Sequence, residues 1–269
     1  MGAKIMVEPP LDTGRPHPAR VYDFLLGGKD NFAADRAAAA EGLKVNPNAA
    51  TAPRQNRAFL QRTVRYLAAE AGIRQFLDIG TGLPTAPNVH QVAQAVNPDA
   101  RVVYADNDPL VLAHARALLT GAGQGRTSYL DADLREPERI LSAPALRDTL
   151  DLREPVALLL YAVLHFLDDA ADPYGIVARL MAELPHGSYL VISHITGDHD
   201  PESWARFTEI MRRQGITARV RSKAEVARFF PGMEMVPPGV VPILQWRPDT
   251  ETEFTDAQVA LYGGVARKH

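Results

Sequence analysis

The run Phe76-Leu77-Asp78-Ile79-Gly80-Thr81-Gly82 constrains what this chain can fold into more than any other segment. An apolar stretch that ends in a carboxylate and then Gly-x-Gly reads as a buried parallel strand turning sharply over a ligand. Glycine permits that turn because the backbone can approach closely with no Cβ in the way. About one strand–helix unit later, Val102-Val103-Tyr104-Ala105-Asp106 again ends an apolar strand in an acid, and Asp131-Ala132-Asp133-Leu134 follows a third.

The chain after Gly72 keeps that rhythm. Its periodicity predicts strands at 75–79, 101–105, 127–130, 155–161 and 188–194, alternating with helices at 85–96, 109–120, 136–142, 173–183 and 201–214. Such alternation implies right-handed crossovers and a doubly wound, mostly parallel sheet covered on both faces. A helix at 222–230 and the apolar segments at 232–236 and 258–265 are expected to complete seven strands, with an antiparallel hairpin at one edge. Residues 1–18 are proline-rich and read as an arm, 19–72 as an N-terminal helical cap, and 73–269 as the α/β core. Within the cap, two short helices meet at Gly27-Gly28, a helical tract covers 33–43, and 54–71 is amphipathic with Phe59, Leu60, Val64, Leu67 and Ala68 on one face. Ligands of open α/β sheets bind beyond the carboxyl ends of the strands, so the cap is expected over that edge.

Composition narrows the functional classes. A net charge of -3 gives no global reason to expect a nucleic acid or a membrane as partner. The absence of cysteine excludes disulfides, zinc–thiolate sites and cysteine nucleophiles, and a cytoplasmic location is expected. No segment approaches the ~20 apolar residues that span a bilayer. His165, His194 and His199 fall on different predicted elements with no carboxylate at ligand spacing, so no metal is expected.

The strand-end acids suggest a ligand. A dinucleotide turn would be Gly-x-Gly-x-x-Gly, but Thr85 occupies the third position, and Asp78 would repel a pyrophosphate while favouring an amine or a sulfonium. That disfavours a nicotinamide oxidoreductase. Asp106 is placed to accept from ribose hydroxyls, Asp133 from an adenine amine, with Asn107 near the adenine and Leu134 covering its ring.

These residues resemble the motifs of class I S-adenosylmethionine-dependent methyltransferases. From about residue 12 to the end, the chain is similar to one bacterial family of them, long catalogued as a domain of unknown function. The resemblance rests on the stretch from Ala19 to Phe32, Arg54-Gln55-Asn56-Arg57, Asp78 to Thr85, Tyr104 to Pro109, and Tyr262-Gly263-Gly264. It implies S-adenosyl-L-methionine as cofactor, with Asp78, Gly80, Thr81 and Gly82 at the methionine end, Asp106 at the ribose and Asp133 at the adenine. It also implies a lid in which Tyr22, Lys29, Asn31 and Arg54 lie near the methionine carboxylate or the acceptor. The implied activity is methyl transfer by direct displacement to a small-molecule acceptor; the alternative is a catalytically inactive S-adenosylmethionine-binding regulatory protein. His165, after the fourth strand, reads either as a general base or acceptor-orienting donor, or as a packed loop histidine. Asp108 is expected to cap the helix opened by Pro109, and Asp30 or Asn31 the helix after the glycine pair. The arginines at 206, 212, 213, 219 and 221 read as a solvated helix face and its exit.

Overall fold

The computed structural model describes residues 11–119 and 125–269. Its strands are β1 (Gln75–Ile79), β2 (Arg101–Asp106), β3 (Thr127–Asp131), β4 (Ala157–Tyr161), β5 (Tyr189–Ile195), β6 (Glu234–Met235), β7 (Val241–Pro242) and β8 (Leu261–Arg267). Every residue of β1, β4 and β5 is buried, which is what apolar runs covered on both faces require. The order is β3-β2-β1-β4-β5-β8-β6, parallel from β3 through β5, with β8 antiparallel and β7 also paired to β8.

The helices are α1 (Pro18–Leu26), α2 (Ala33–Val45), α3 (Ala52–Ala69), α4 (Val89–Val96), α5 (Pro109–Leu119), α6 (Pro137–Ser142), α7 (Pro144–Thr149), α8 (Pro173–Ala182), α9 (Pro201–Arg213), α10 (Lys223–Ala227) and α11 (Asp256–Val259). One apolar layer joins Phe59, Leu60, Val64 and Leu67 of α3 to Phe76, Tyr104, Leu159 and Val191 of the sheet. The opposite face packs Leu77, Ile79, Leu158 and Leu160 against Ile140, Ile176, Leu180 and Phe229. A third, smaller cluster holds Val21, Ala38 and Ala39 of α1 and α2 on Met211 and Ile216. The N-terminal segment thus divides: α3 is a layer of the sheet's own core, while α1 and α2 lean on α9.

Several expected boundaries move, each for a local reason. The helix expected from residue 85 starts at Val89, because Pro84 and Pro87 precede it and the Asn88 N–H is taken by Gln91 Oε1 at 2.7 Å. The helix at 136–142 is followed directly by α7, opened by Pro144. The helix expected to reach 230 stops at Ala227. The strand expected from 258 begins at Leu261, after Thr255 caps α11 and Ala260 turns out at φ 47°. Among the described residues the sheet has eight strands rather than seven, because β6 and β7 share one edge of β8, paired at Met235–Ala266 and Val241–Gly263. Pro237 and Pro238 lie between them and cannot donate to a ladder. Residues 1–10 of the expected arm and residue 120 of the helix expected at 109–120 lie outside the described residues.

The glycine joint wraps a carboxylate. Asp23 Oδ2 accepts from Asp30 N–H at 3.0 Å and from the Asn31 amide at 2.8 Å, and Gly28 N–H donates to the Asp23 carbonyl at 2.8 Å. Neither Asp30 nor Asn31 caps α2: Phe32 stands at the N-cap and its N–H donates to Asp35 Oδ2 at 2.8 Å. Among the described residues no helix is long and apolar enough to cross a membrane.

A Cβ at Gly28 would lie 2.0 Å from Asp23 Oδ1, and the hydrogen bonds on that buried carboxylate keep it from moving aside. Gly28→Ala is expected to destabilise the protein by about 1–3 kcal/mol. Thermal unfolding checks this, and a melting temperature equal to wild type would show that the loop yields freely.

Candidate functional site

The chain leaves β1 for β2 on one side and β4 for β5 on the other, so the carboxyl ends of β1 and β4 flank a topological switch point, where such sheets open a crevice. A cleft of about 290 Å³ lies there. Asp78 and Gly80-Thr81-Gly82 line it from β1, Asp106 and Asn107 from β2, Asp133 and Leu134 from the loop after β3, and Ala162 and Val163 from the end of β4. Tyr22 of α1 and Arg57 of α3 face them. Gly80 has φ 73°, its N–H donates to the Ala105 carbonyl at 2.8 Å, and a Cβ there would lie 2.3 Å from Val163. Ala162 is held at φ 51°, a conformation that costs a non-glycine residue about 1–3 kcal/mol, with its N–H donated to Ser193 Oγ at 3.0 Å.

The acids differ in their surroundings. Asp106 accepts from the backbone N–H groups of Gly82 at 2.8 Å and Asp108 at 3.0 Å, yet burial outweighs these and pushes its pKa up. Burial likewise raises Asp78, to about 7; the Thr81 side chain and the Arg57 charge only partly oppose it. Asp133 is half-buried, which alone would raise it, but Arg135 chelates both oxygens and the Asn107 amide donates at 2.9 Å, so it falls to about 2. Asp108 caps α5 as expected, accepting from Leu110 N–H at 2.8 Å. It also meets His17 Nδ1 at 2.9 Å and Arg20 Nε at 3.1 Å, contacts that override its burial and lower its pKa.

The structure brings Asp78, Gly80, Thr81, Gly82, Asp106, Asn107, Asp133, Leu134 and Tyr22 to one cleft. It does not bring Lys29, Asn31 or Arg54 to that wall: Lys29 and Arg54 are exposed, and the Asn31 amide is spent on Asp23 and the Gly28 carbonyl. Arg54 stands on the wrong side of α3, whose Asn56, Arg57 and Leu60 share the face toward the cleft at helical spacing. Arg57, Asn56 and His17 are lining residues that the sequence did not single out. The first two follow from helical phase once Tyr22 is placed, whereas His17 lies in an arm with no periodicity. His165 is buried outside the cleft, in the wall of a second, adjoining cavity. Among the described residues no three His, Asp or Glu side chains converge on a metal position.

A family profile described as S-adenosyl methyltransferase matches residues 5–269. The chain is similar to the crystal structure of a DUF574 family protein from Streptomyces avermitilis, at 46% identity and TM-score 0.94 over 97% of this chain and 100% of that one. It is similar to a putative methyltransferase from Thermobifida fusca, at 42% identity and TM-score 0.90 over 98% and 99% of the two chains. An O-methyltransferase family protein from Burkholderia thailandensis shares the fold, at 14% identity and TM-score 0.54 over 82% of this chain and 58% of that one. No match is found among curated proteins.

Asp78 leaves a signature in the pH dependence of stability. Its folded pKa of about 7 stands above the ordinary 3.8, so between those values the folded state holds a proton that the unfolded state has lost. Its contribution is therefore present at low pH and is lost as pH rises through about 7. Urea unfolding of the ligand-free protein at pH 5 and 8, compared with Asp78→Asn, is expected to show wild type losing more stability than the variant over that interval. Parallel losses would mean that Asp78 titrates normally.

Proposed function

The chain belongs to the S-adenosyl methyltransferase family, whose cofactor is S-adenosyl-L-methionine, and from that premise we propose that it transfers the cofactor's methyl group to a small-molecule acceptor bound beside the cleft. The observation that carries this reading is the convergence of Asp78, Asp106 and Asp133, from three successive strand ends, on a single cavity. The donor set fits the cofactor's parts in order. Buried Asp78 offers a carboxylate to the ammonium of the methionine portion, beside the open backbone of Gly80-Thr81-Gly82. Each oxygen of Asp106 already accepts one backbone N–H, which leaves lone pairs for the two ribose hydroxyls. Asp133, kept ionised by Arg135, accepts from the adenine amine, while Asn107 and Leu134 flank the ring.

When bound, S-adenosyl-L-methionine supplies a methyl group already activated by its positive sulfur. The protein's own work is then to hold an acceptor in line and exclude water; orientation of this kind is worth roughly 7–11 kcal/mol, against a factor of about 10²–10⁴ for a general base. The groups for that work form a neutral chain at the cleft's inner wall. The Asn56 amide donates to Tyr22 Oη at 3.0 Å, Tyr22 Oη to the Pro53 carbonyl at 3.1 Å, and Ser193 Oγ to Asn56 Oδ1 at 2.6 Å. Burial raises Tyr22 to about 12, so it stays a neutral donor at physiological pH. We assign the lid contact to Tyr22, with Asn31 acting through the loop it fixes.

Incubation with cofactor labelled in the methyl group and a metabolite extract is expected to give a labelled low-mass product; tight binding without any transfer would reduce the protein to a cofactor-binding role. Asp106→Asn is expected to weaken S-adenosylhomocysteine by about ten- to a hundred-fold by calorimetry, the value of hydrogen bonds to a charged acceptor. Unchanged affinity would remove Asp106 from the ribose site. Because Asp78 must ionise to meet the ammonium, affinity for the same ligand is expected to rise between pH 6 and 8 in wild type and stay flat in Asp78→Asn.

A further inference from the structure

Behind the cleft lies a second cavity of about 80 Å³, and Tyr22, Asn56, Ala162, Phe166 and Ile216 line both. Its deeper wall is apolar, with Val21 and Leu25 of α1, Trp204, Phe207 and Met211 of α9, and Leu261. Among the described residues no Asp, Glu, Lys or Arg side chain lines it. The polar groups of Tyr22 and Asn56 are already bonded to each other, to Pro53 and to Ser193. His165 is different. It is 6% exposed, and among the described residues neither ring nitrogen has a hydrogen-bond partner; Nδ1 has no accessible surface, so Nε2 is the nitrogen that a guest can reach. An imidazole on the chamber wall with an accessible nitrogen not yet bonded can meet a polar group on a guest, whereas Tyr22 and Asn56 are already engaged.

We propose that this chamber is the acceptor's recognition subsite, taking the uncharged leading edge of an aromatic or similarly flat acceptor, which carries there a hydroxyl that bonds His165. The proposal rests on the methyltransferase reading above. Size sets the first limit: a cavity of about 150 Å³ accommodates benzene, and this chamber of about 80 Å³ is roughly half that, so it takes only the leading edge of a ring, with the rest of the ring and of the acceptor in the adjoining cleft. Charge sets the second, because an ionised group here would meet no partner.

His165 acts as a positioning residue. Burial holds its pKa well below the ordinary value, and the nearby His194 and Arg221 push the same way. A neutral imidazole has one nitrogen that donates and one that accepts, which suits a hydroxyl and makes it a poor acceptor of the acceptor's proton. Its orientation is fixed from behind. Arg221 Nη1 donates to the Leu164 carbonyl at 3.1 Å and to His194 Nε2 at 2.8 Å, and the His194 ring packs edge-on against His165 at 5.6 Å. The atom that receives the methyl group then lies at the mouth between the two cavities, beside Tyr22, Asn56 and Ala162.

The test uses the full chain saturated with S-adenosylhomocysteine and titrated with p-cresol, toluene and benzoate by calorimetry. We expect p-cresol to bind at least ten-fold tighter than toluene and benzoate not to bind. His165→Phe should erase the preference of p-cresol over toluene while toluene still binds, and His165→Gln should restore part of it. Ala49→Leu, which fills the chamber from the turn before α3, should abolish binding of both rings and leave S-adenosylhomocysteine unaffected. Binding of S-adenosylhomocysteine with none of the rings overturns the chamber. So does equal binding of benzoate, ring binding that survives Ala49→Leu, or a p-cresol preference that survives His165→Phe. Failure to bind S-adenosylhomocysteine at all instead overturns the methyltransferase reading.

Discussion

Two acids at the carboxyl end of β2 organise the site and the segment above it. Asp106 is 6% exposed and Asp108 1%, and a carboxylate taken that far out of water must be compensated by hydrogen bonds or a cation. Asp106 is compensated by the N–H groups of Gly82 and Asp108, which ties the loop after β1 to the loop after β2. Asp108 is compensated by His17, Arg20 and the first turn of α5. Arg20 in turn approaches Asp35 at 3.9 Å and donates to the Asp12 carbonyl, while Asp35 accepts from the His17 and Phe32 N–H groups. One chain of buried charge thus runs from the sheet through α1 to the start of α2. Breaking a buried pair of this kind leaves the survivor uncompensated at a cost of about 3–5 kcal/mol. That dependence, more than apolar contact, fixes α1 over the cleft, since the apolar cluster beneath α1 and α2 is small.

The same arrangement sets the sign of the cleft. Asp78 and Asp106 lie in one cavity, where burial raises the proton affinity of both, and repulsion adds to it from Asp106 at Asp78 and from Asp108 at Asp106. Such a wall disfavours a phosphate and accepts a cation or a set of hydroxyls. The turn that a pyrophosphate would need is accordingly incomplete: Thr85 stands where the third glycine would be, and its carbonyl is engaged by Arg57 rather than turned toward a ligand. Arg57 therefore serves the loop, and through its charge it moderates Asp78.

Much of this was legible in the sequence, and the pattern of what was not has a physical cause. Strands buried on both faces announce themselves as apolar runs, so β1, β2, β3, β4 and β5 lie within a few residues of where periodicity puts them. Strand-end acids are legible because a parallel sheet delivers every such residue to the same edge. Lys29, Asn31 and Arg54 were harder, because proximity in sequence to Tyr22 or Arg57 says nothing about which way a side chain faces on a helix or a glycine loop. The glycine joint resembles an anion-binding turn and is one, but the anion is the chain's own Asp23. The edge beside β8 was illegible for another reason: two-residue strands separated by prolines carry no period.

Arg221 shows most clearly how context overrides composition. In sequence it closes a basic run whose other members behave as solvated arginines: Arg206 pairs with Glu202, and Arg212 and Arg213 share Glu209 on the open face of α9. Arg221 is instead 1% exposed, its guanidinium donating to the carbonyls of Leu164 and Leu167, to His194 Nε2 and to Asp169, and lying over Tyr174 and Phe229. A cation so deep is tolerable only because its Nη donors are met by fixed acceptors and its faces by aromatic rings, although its Nε has no partner. Three of those acceptors, on Leu164, Leu167 and Asp169, lie on the segment that follows β4, which carries Ala162 in its strained conformation and His165 without a partner. The energy that holds this turn rigid therefore comes from a group outside both cavities, and the place where cleft and chamber meet is shaped from behind by an arginine that the sequence presents as one more surface charge.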